Sequence, residues 1–351
     1  MDLKKLYIEK AVYPAMTLLQ KNHVSAFTRQ LQATETMDVD DRAIWLRQQM
    51  SELLLYCREN VPAYFDLPFT DLELRREPLD CLQAVDPVPL DEFLNQTRQY
   101  LCPNADLEHL HHAVQNIGEE QQANLYYTQE QVARYEAARW RGLSWYGVTF
   151  GSPSVLLWDK PRDPYFLREE PYMRNRLSMS VCAMTDRSIQ PMLEEIDAFE
   201  PEYISGSANA LGMLAAGMER TGLRLLKPLK VVTVTQGVAD GALRQKLQEV
   251  FGCPVAQNLG VRTEGIVAYM CPEGHLHVTA ENCFVEILDP QTWTPVAPGK
   301  PGLVAVTDLV DRTMPHLRVV LNFMAVLDDS PCPCGRTLPV LKHLRATAPM
   351  E

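Results

Sequence analysis

The chain has 351 residues, of which 46% are hydrophobic and 22% charged, a composition typical of globular proteins with one large or two moderate domains. Its net charge of -12 argues against nucleic acid as a partner, because binding a polyanion requires clustered Lys and Arg. No stretch reaches the roughly 20 apolar residues of a membrane span, and the first residues lack the apolar core of a secretory signal. With nine cysteines, an odd number, we expect reduced thiols in a cytoplasmic protein that does not enter a membrane.

The first hundred residues predict helices and turns. Between residues 42 and 60 apolar side chains recur at helical spacing, and Pro62 ends that pattern. Residues 66–103 are rich in Pro, Asp and Leu, which predicts short helices and turns that lead towards a core.

Residues 115–128 contain one glycine, Gly118, which is followed by Glu119 and Glu120, and helical spacing returns after Thr128.

The middle third alternates predicted strands and helices. The pattern gives a strand at 155–159, a helix and then a strand within 189–206, a helix at 208–222, a strand at 229–237, a helix at 241–252 and a strand at 254–260. This alternation predicts right-handed crossovers and parallel strands, and ligands of such sheets bind beyond the carboxyl ends of the strands. The residues expected around that crevice are Ser205, Gly206, Thr235, Gln236, Gly237 and 257–264.

Two later segments supply metal-ligating side chains. Cys271 and His277 flank a predicted turn, and Cys332 and Cys334 stand one residue apart in a proline-rich stretch. Three thiolates and one imidazole are the donors of a closed structural zinc site, so we expect the four side chains to converge. The spacing is not that of common zinc modules, and the alternative that Cys332 and Cys334 only flank a tight turn stays open.

Three motifs occur in a fixed order: CPEGHLH from Cys271, MPHLR from Met314 and PCPCGRTLP from Pro331. In this order they resemble the phenylacetate-CoA ligase branch of the adenylate-forming enzymes, and the resemblance covers nearly the whole chain. It implies an α/β fold, the large N-terminal domain of that superfamily, with mixed and parallel sheets, flanking helices and a small β-rich subdomain. The expected divisions are a helical segment at 1–110, an α/β core at 111–265 and a β-rich subdomain at 266–351, without the family's separate C-terminal domain.

The resemblance also implies site residues, which depend on how QNLGVRTEG is aligned with the family's adenine and metal motif. Without a gap, Leu259 and Gly260 take the Tyr-Gly positions and the metal carboxylate is missing; a one-residue slip keeps Glu264 as a magnesium ligand. Both alignments stay open, as does a role for Glu264 as a solvated turn residue. The implied residues are Glu264 and Arg318 for catalysis, and Thr235, Gln236, Gly237, Asn258, Leu259, Gly260, Thr263 and Asp308 for the nucleotide.

For the acid substrate we expect polar contacts from Tyr146, Ser205, Gly206, Asn209 and Arg262. Four aromatic side chains are candidates to stack on a flat ring, although aromatic residues at such spacing more often belong to the core. They are Tyr126, Trp140, Trp145 and Phe150.

The chain departs from the family at several nucleotide contacts. The resemblance places the phosphate-binding loop at residues 115–128; relatives present bare backbone amides there, whereas Glu119 and Glu120 would repel the phosphates. Asn322 and Phe323 stand where relatives carry the ribose-binding Asp. The resemblance therefore implies weak binding of ATP and Mg²⁺, slow adenylation of an aromatic carboxylic acid, and transfer of the adenylate to a separate reductase or transferase, with a homodimer as one way to cover the site. Truncated relatives of this kind serve phenazine antibiotic pathways, which implies phenazine-1,6-dicarboxylate as the acid. The alternative is a non-catalytic relative that binds an acid or acts as a scaffold.

Overall fold

The computed structural model describes residues 7, 11–12, 15, 23–117, 121–159, 175–261 and 265–347. Within these ranges helices α1 to α10 span Val24–Thr34, Val39–Asn60, Asp71–Arg76, Pro78–Gln83, Leu90–Asn95, Thr97–Tyr100, Gln129–Ser144, Asp186–Phe199, Ala208–Thr221 and Gly241–Phe251. Strands β1 to β14 span Val88–Pro89, His111–Ile117, Gln121–Tyr127, Ser154–Trp158, Arg176–Ser180, Tyr203–Ser207, Val231–Gln236, Val255–Val261, Gly265–Met270, Leu276–Val278, Cys283–Leu288, Pro301–Asp308, Val319–Asp328 and Val340–Ala346.

The chain divides into two compact units. The first, here called the parallel unit, contains Arg139–Gly260 and Tyr269–Leu276 among its described residues. The second, the β-rich unit, contains His23–Ala138, Val261–Ala268 and His277–Glu351. Each unit therefore combines separate stretches of chain. The segments predicted from the sequence, 1–110, 111–265 and 266–351, are contiguous, and this division stays a prediction.

Five parallel strands form the sheet of the parallel unit, in the order β8, β7, β6, β4, β5. The predicted alternation of strands and helices between residues 155 and 260 is thereby confirmed. Apolar faces of α8, α9 and α10 pack on the sheet around Leu214, Val232 and Leu247, which have no exposed surface. The core sits there because β-branched strand residues and helical apolar stripes face one another.

Local signals set the ends of α9, a helix of the parallel unit. Ser207 caps the start, since its Oγ accepts a hydrogen bond from the Ala210 N–H at 3.0 Å. Gly222 ends the helix with φ of 72°, a left-handed conformation that glycine adopts without steric cost. Ser207 therefore sets the point where the chain leaves the carboxyl end of β6, and Gly222 sets the point where the helix ends.

Antiparallel pairing dominates the β-rich unit, where β11, β12, β13 and β14 are hydrogen-bonded in sequence. The short strand β1 adds to β13 in parallel. Helix α2 starts at Asp38, whose side chain accepts from the Asp40 N–H at 2.9 Å, and its fully buried face carries Met50, Leu53 and Leu54. The predicted helix over 42–60 is confirmed, including its end just before Pro62.

Strands β2 and β3 form an antiparallel hairpin. This hairpin covers most of residues 115–128, where the resemblance implied a phosphate-binding loop. The pairing runs from His111 opposite Tyr127 to Ile117 opposite Gln121. Gly118, Glu119 and Glu120 lie outside the described residues, so their expected effect on phosphate stays a prediction. The helix predicted after Thr128 is present as α7.

Candidate functional site

The four predicted metal ligands lie together. One ligand atom from each of Cys271, His277, Cys332 and Cys334 falls within 4.8 Å of the others. The Cys334 Sγ is 3.2 Å from the His277 Nε2, and every member except the half-buried Cys334 is buried. Three sulfurs and one imidazole nitrogen in this arrangement are able to hold a tetrahedral metal ion.

Two glycine turns position the sulfurs. The Gly274 N–H donates to the Cys271 carbonyl at 2.9 Å, and the Gly335 N–H donates to the Cys332 carbonyl at 3.0 Å. Both glycines have φ of 81°, in the left-handed region that other residues rarely adopt. Cys332 and Cys334 thus flank a tight turn and also converge with Cys271 and His277. The two alternatives from the sequence are therefore compatible.

Neighbouring groups prepare His277 and Cys334 for a cation. The His277 Nδ1 lies 3.4 Å from the Leu338 carbonyl, so a proton on Nδ1 leaves the Nε2 lone pair for a metal. Burial raises the pKa of the Cys334 thiol, but hydrogen bonds from the Arg336 N–H and Cys332 and the Arg336 guanidinium outweigh it and lower that pKa. A lowered pKa favours the thiolate, which is the metal-binding form.

At the carboxyl end of β6, the predicted acid contacts have protein partners. Ser205 is buried, and its Oγ donates to the Val155 carbonyl at 3.4 Å. A Cβ at Gly206 would sit 3.1 Å from the Leu157 carbonyl oxygen, so a side chain there would crowd the neighbouring strand β4. Asn209 is exposed, and its amide donates to Asp159 at 3.2 Å.

The end of β7 carries the predicted nucleotide turn. The Thr235 Oγ donates to the Gly206 carbonyl at 3.2 Å, and Gln236 is exposed just beyond it. Gly237 turns the chain with φ of 72°. The Gln257 amide closes this turn, since its Nε2 donates to the Gly237 carbonyl at 3.1 Å and its Oε1 accepts from the Ala239 N–H at 3.0 Å.

Strand β8 presents the next predicted nucleotide residues. Asn258 is 4% exposed, and its Oδ1 has no hydrogen-bond partner among the described residues. Leu259 is buried and Gly260 half-buried beside it. Buried polar atoms are nearly always paired, so the Asn258 oxygen is a candidate acceptor for a ligand, and its assignment to the nucleotide stays a prediction.

Three further predicted residues, Arg262, Thr263 and Glu264, lie outside the described residues. Their assignment to the acid, the nucleotide and the metal therefore stays a prediction. Neither alignment of the QNLGVRTEG stretch is decided.

The aromatic candidates fall into core and surface positions. Trp140 is 3% exposed and packs on Phe150 with a centroid distance of 4.7 Å, as core residues do. Tyr126 stacks on His112 at 5.0 Å. Tyr146, predicted to contact the acid, donates its hydroxyl to the Met270 carbonyl at 2.9 Å.

In the β-rich unit, Asp308 has a full set of protein partners. It is fully buried, and its Oδ1 accepts from the backbone N–H groups of Val310 and Asp311 at 2.6 and 2.7 Å. Its Oδ2 accepts from the Tyr135 hydroxyl at 2.8 Å. Burial raises the pKa of Asp308 to about 6, despite the opposing effect of the nearby His316.

Arg318 is also bound on all sides by the protein. It is 2% exposed, with Nε 3.0 Å and Nη2 3.3 Å from the two Glu286 oxygens. Its Nη1 donates to the carbonyls of Gln83 and Val85 at 2.8 and 2.6 Å. The backbone φ of 52° is unusual for arginine and holds the side chain in this buried pair.

Two comparisons with known proteins bear on these features, and no protein-family model matches the chain. It is 26% identical over 167 residues to phenylacetate-coenzyme A ligase of Thermus thermophilus, a match that covers 46% of this chain but only 37% of that ligase. The structure of 2-hydroxyisobutyryl-CoA ligase in the postadenylation state has a TM-score of 0.70 at 18% identity, covering 89% of this chain and 69% of that one. Its open conformation gives a TM-score of 0.67 at 17% identity, over 88% and 75%.

The chain therefore shares the α/β fold of 2-hydroxyisobutyryl-CoA ligase over most of its length, and it spans 37% of the curated relative that it matches in sequence. The predicted α/β architecture is confirmed by the same structural likeness. No helix in the described part of the chain is both long and apolar enough to cross a membrane.

Sequence reasoning missed three residues that hold the described site residues in place. Asp159 accepts from Ser207 and Asn209 at 2.9 and 3.2 Å, and Gln257 closes the turn after β7. Glu286 pairs with Arg318 across 32 positions of sequence. Asp159 could have been found from its place at the end of the strand predicted at 155–159. The partners of Gln257 and Glu286 depend on the register between strands, which spacing alone does not give.

Proposed function

We propose that the chain activates a carboxylic acid by adenylation. A carboxylate oxygen attacks the α-phosphorus of ATP and bonds to it, while the bond to the bridging oxygen breaks and pyrophosphate leaves. Beside the likeness to CoA ligases in sequence and fold, one observation carries the proposal: the buried Asn258 Oδ1 on strand β8 has no partner among the described residues. An amide oxygen in that position is able to accept from an amino group such as that of adenine.

The proposed nucleotide contacts continue along the same strand ends. The turn Thr235–Gly237 and Gly260 offer backbone groups that a ligand can approach closely, because glycine has no side chain in the way. Thr263 and Glu264 complete the proposal, with Glu264 as the ligand of a Mg²⁺ that neutralises phosphate charge. Asp308 and Arg318 are assigned to the ribose and to catalysis by the family motif alone.

The proposed substrate is an aromatic carboxylic acid, with phenazine-1,6-dicarboxylate as a specific candidate. Asn209 and Arg262 are the polar groups offered to it near the end of β6 and after β8, with Tyr146, Ser205 and Gly206 shaping the pocket wall. The acyl adenylate would pass to a separate reductase or transferase, and a homodimer would shield it from water.

We assign structural zinc to the Cys/His cluster. The donor set of three sulfurs and one nitrogen within 4.8 Å fits the preference of Zn²⁺ for thiolate and imidazole. When bound, the ion contributes free energy to folding and takes no part in the reaction.

Acid-dependent exchange of labelled pyrophosphate into ATP tests the proposed activity. With Mg²⁺ and phenazine-1,6-dicarboxylate, benzoate or phenylacetate, exchange above the acid-free rate is expected for at least one acid. An Asn258→Leu variant should exchange more slowly, and an Asn95→Leu variant at an exposed helix end should match the wild type. No exchange with any aromatic acid at millimolar concentration would contradict adenylation.

A second candidate, a non-catalytic acid-binding relative, is favoured by one observation. The carboxylate of Asp308 and the guanidinium of Arg318 are already bound by protein groups. For such a protein, calorimetry would show acid binding that does not depend on ATP, together with no exchange. Adding coenzyme A to the exchange assay tests the proposed transfer step. Thioester formation by the chain alone would contradict transfer of the adenylate to a separate protein.

A further inference from the structure

One ligand of the Cys/His cluster is reachable from solvent, while the others are enclosed. Cys271 and His277 have no exposed surface and Cys332 is 6% exposed, whereas Cys334 is half-buried. Oxidants attack thiolates that are accessible from solution. Of the four ligands, Cys334 is therefore the one that a small oxidant can reach.

A second thiol lies close enough to bond with Cys334. The sulfurs of Cys332 and Cys334 belong to the set of ligand atoms that lie within 4.8 Å of one another. One residue separates the two cysteines, so their Cα atoms are at most about 7 Å apart. Disulfides commonly join Cα atoms about 4.4 to 6.8 Å apart. A bond between the two sulfurs therefore requires only a small movement of the turn that carries them.

Arg336 and Thr337 connect this pair of thiols to another segment of the β-rich unit. The Arg336 guanidinium lies beside the Cys334 sulfur, and its Nε is 3.4 Å from the Glu35 carboxylate. Thr337 donates its N–H to the Glu35 carbonyl at 3.0 Å and its hydroxyl to the Met37 carbonyl at 2.6 Å. Glu35 and Met37 lie in the connection between α1 and α2. The loop that carries the two thiols therefore holds this connection in place.

The loop itself has no regular secondary structure. Residues 329–339 join β13 to β14 without a helix or a strand. The hydrogen bond from the Gly335 N–H to the Cys332 carbonyl closes a local turn, and Thr337 bonds to a segment about 300 residues earlier. Ligation of a metal by Cys332 and Cys334 therefore orders this loop, because metal binding contributes directly to folding free energy.

We propose that the cluster is a redox switch, in which oxidation of Cys334 by a peroxide releases the metal and frees the connection between α1 and α2. The Cys334 thiolate attacks hydrogen peroxide, the O–O bond breaks, and a sulfenic acid forms while the second oxygen takes a proton and leaves as water. The Cys332 thiolate then attacks the Cys334 sulfur, a disulfide forms, and the sulfenic oxygen leaves as a second water after protonation. Two electrons pass from the sulfurs to the peroxide, and the cluster loses two ligands.

The proposal rests on the zinc assignment made above, and the first measurement separates the two. The zinc content of the purified, untreated full chain tests the assignment alone. Hydrogen peroxide is then added in equimolar steps, a chromogenic chelator follows zinc release, and peptide mass spectrometry locates the disulfide. One peroxide per chain should release one zinc and join Cys332 to Cys334. Dithiothreitol with added zinc should restore the cluster.

Amide hydrogen exchange measures the effect on the loop. The Thr337 N–H should lose its protection on oxidation, because its acceptor is the Glu35 carbonyl in the connection that is freed. The Leu309 N–H, which donates to the Asn282 carbonyl at 2.8 Å in the same unit, should keep its protection. Removal of zinc by a chelator under reducing conditions should expose Thr337 in the same way, because it is the loss of the metal that frees the loop.

Two variants locate the reactive sulfur. Cys334→His keeps a structural donor set of two thiolates and two imidazoles, and should hold zinc. It should release zinc at least about tenfold more slowly under peroxide, because imidazole forms no sulfenic acid. Cys182→Ser changes an exposed cysteine outside the cluster and should match the wild type. If Cys334→His does not hold zinc, the position of the disulfide in the wild type decides the same point.

The outcomes distinguish the switch from the zinc assignment. A chain that purifies without zinc overturns both. A chain that holds zinc but keeps it in excess peroxide, forms a disulfide without Cys334, or keeps Thr337 protected after zinc release overturns the switch alone.

Discussion

The two units treat the polar residues of the family motifs in opposite ways. In the parallel unit, the side-chain oxygen of Asn258 is buried and has no partner among the described residues. In the β-rich unit, Asp308 accepts three hydrogen bonds and Arg318 binds Glu286 and two carbonyls. A polar group reserved for a ligand costs stability, whereas a fully bonded one contributes to it.

The difference indicates which unit kept its function. Asp308 and Arg318 in the β-rich unit are bonded within the fold, while Asn258 in the parallel unit belongs to the nucleotide site that we propose. Removing a residue from the first set should therefore affect unfolding, and removing one from the second should affect binding.

The largest effect is expected at the metal cluster. The double variant Cys332→Ser and Cys334→Ser should lose one equivalent of bound zinc and more than about 5 kcal/mol of unfolding free energy, because the free energy of metal binding is largely folding free energy. Zinc analysis and urea unfolding measure the two quantities. The control, Cys182→Ser, changes an exposed cysteine and should keep both values. A wild-type protein that purifies without zinc would contradict the assignment.

Breaking the Arg318 pair comes next. Arg318→Met should lower the free energy of unfolding by about 3 to 5 kcal/mol, because Glu286 is left buried without its counter-charge. Arg220→Met, in the exposed pair with Asp186, should cost less than about 1 kcal/mol. Urea unfolding compares the two. If Arg318→Met is as stable as its control yet inactive, the residue is catalytic and the contrast between the units is wrong.

The pH dependence of Asp308 gives a smaller effect with a definite sign. Burial raises its pKa to about 6 in the folded state, so its contribution is complete below the unfolded pKa near 4 and is lost as pH rises through about 6. Between pH 4 and pH 7 the wild type should lose up to about 3 kcal/mol relative to Asp308→Asn.

Urea unfolding across this pH range measures the loss. Asp289→Asn is the matched control, because the N–H groups of Thr292 and Gln291 lower the pKa of Asp289. Asp289 therefore adds stability above its unfolded pKa that is lost as pH falls, the opposite trend. A flat difference between the wild type and Asp308→Asn would show that Asp308 ionises normally.

The smallest effect, at Asn258, should have opposite signs in folding and in binding. Asn258→Leu removes a buried acceptor without a described partner and should raise the free energy of unfolding by about 1 kcal/mol. The same change should weaken ATP binding by about fivefold to tenfold, the value of one hydrogen bond. Urea unfolding and calorimetry with Mg²⁺ and ATP check both. A variant with unchanged ATP affinity would place the nucleotide elsewhere.

Periodicity and breakers predicted much of the fold from the sequence. The parallel strands and the helices from 189 to 251 were recovered because apolar spacing and glycine caps are local signals. The convergence of Cys271 with Cys332 came from donor chemistry and motif order. The β2–β3 hairpin was missed, since β2 is mostly polar and the alternation of β3 falls in the stretch where the resemblance implies a loop.

The site was harder to predict, because its chemistry depends on partners distant in sequence. That Arg318 would be buried against Glu286, or that Asp308 would be closed by Tyr135, follows from strand register and helix packing. Motif resemblance assigned both residues to ligands, since it identifies positions and says nothing of what surrounds them. Those assignments stay predictions.

Because the β-rich unit is built from stretches that are far apart in sequence, its early segments are synthesised long before their partners. The Val88 N–H bonds the Arg318 carbonyl, and the Thr337 N–H bonds the Glu35 carbonyl. Val88 and Arg318 are about 230 residues apart, so at about 5 to 20 residues per second the early segment waits roughly 10 to 50 s for its partner. Residues 139–260 form one continuous stretch of the parallel unit and meet no such delay, so we expect that stretch to fold while residues 23–138 still wait for their partners.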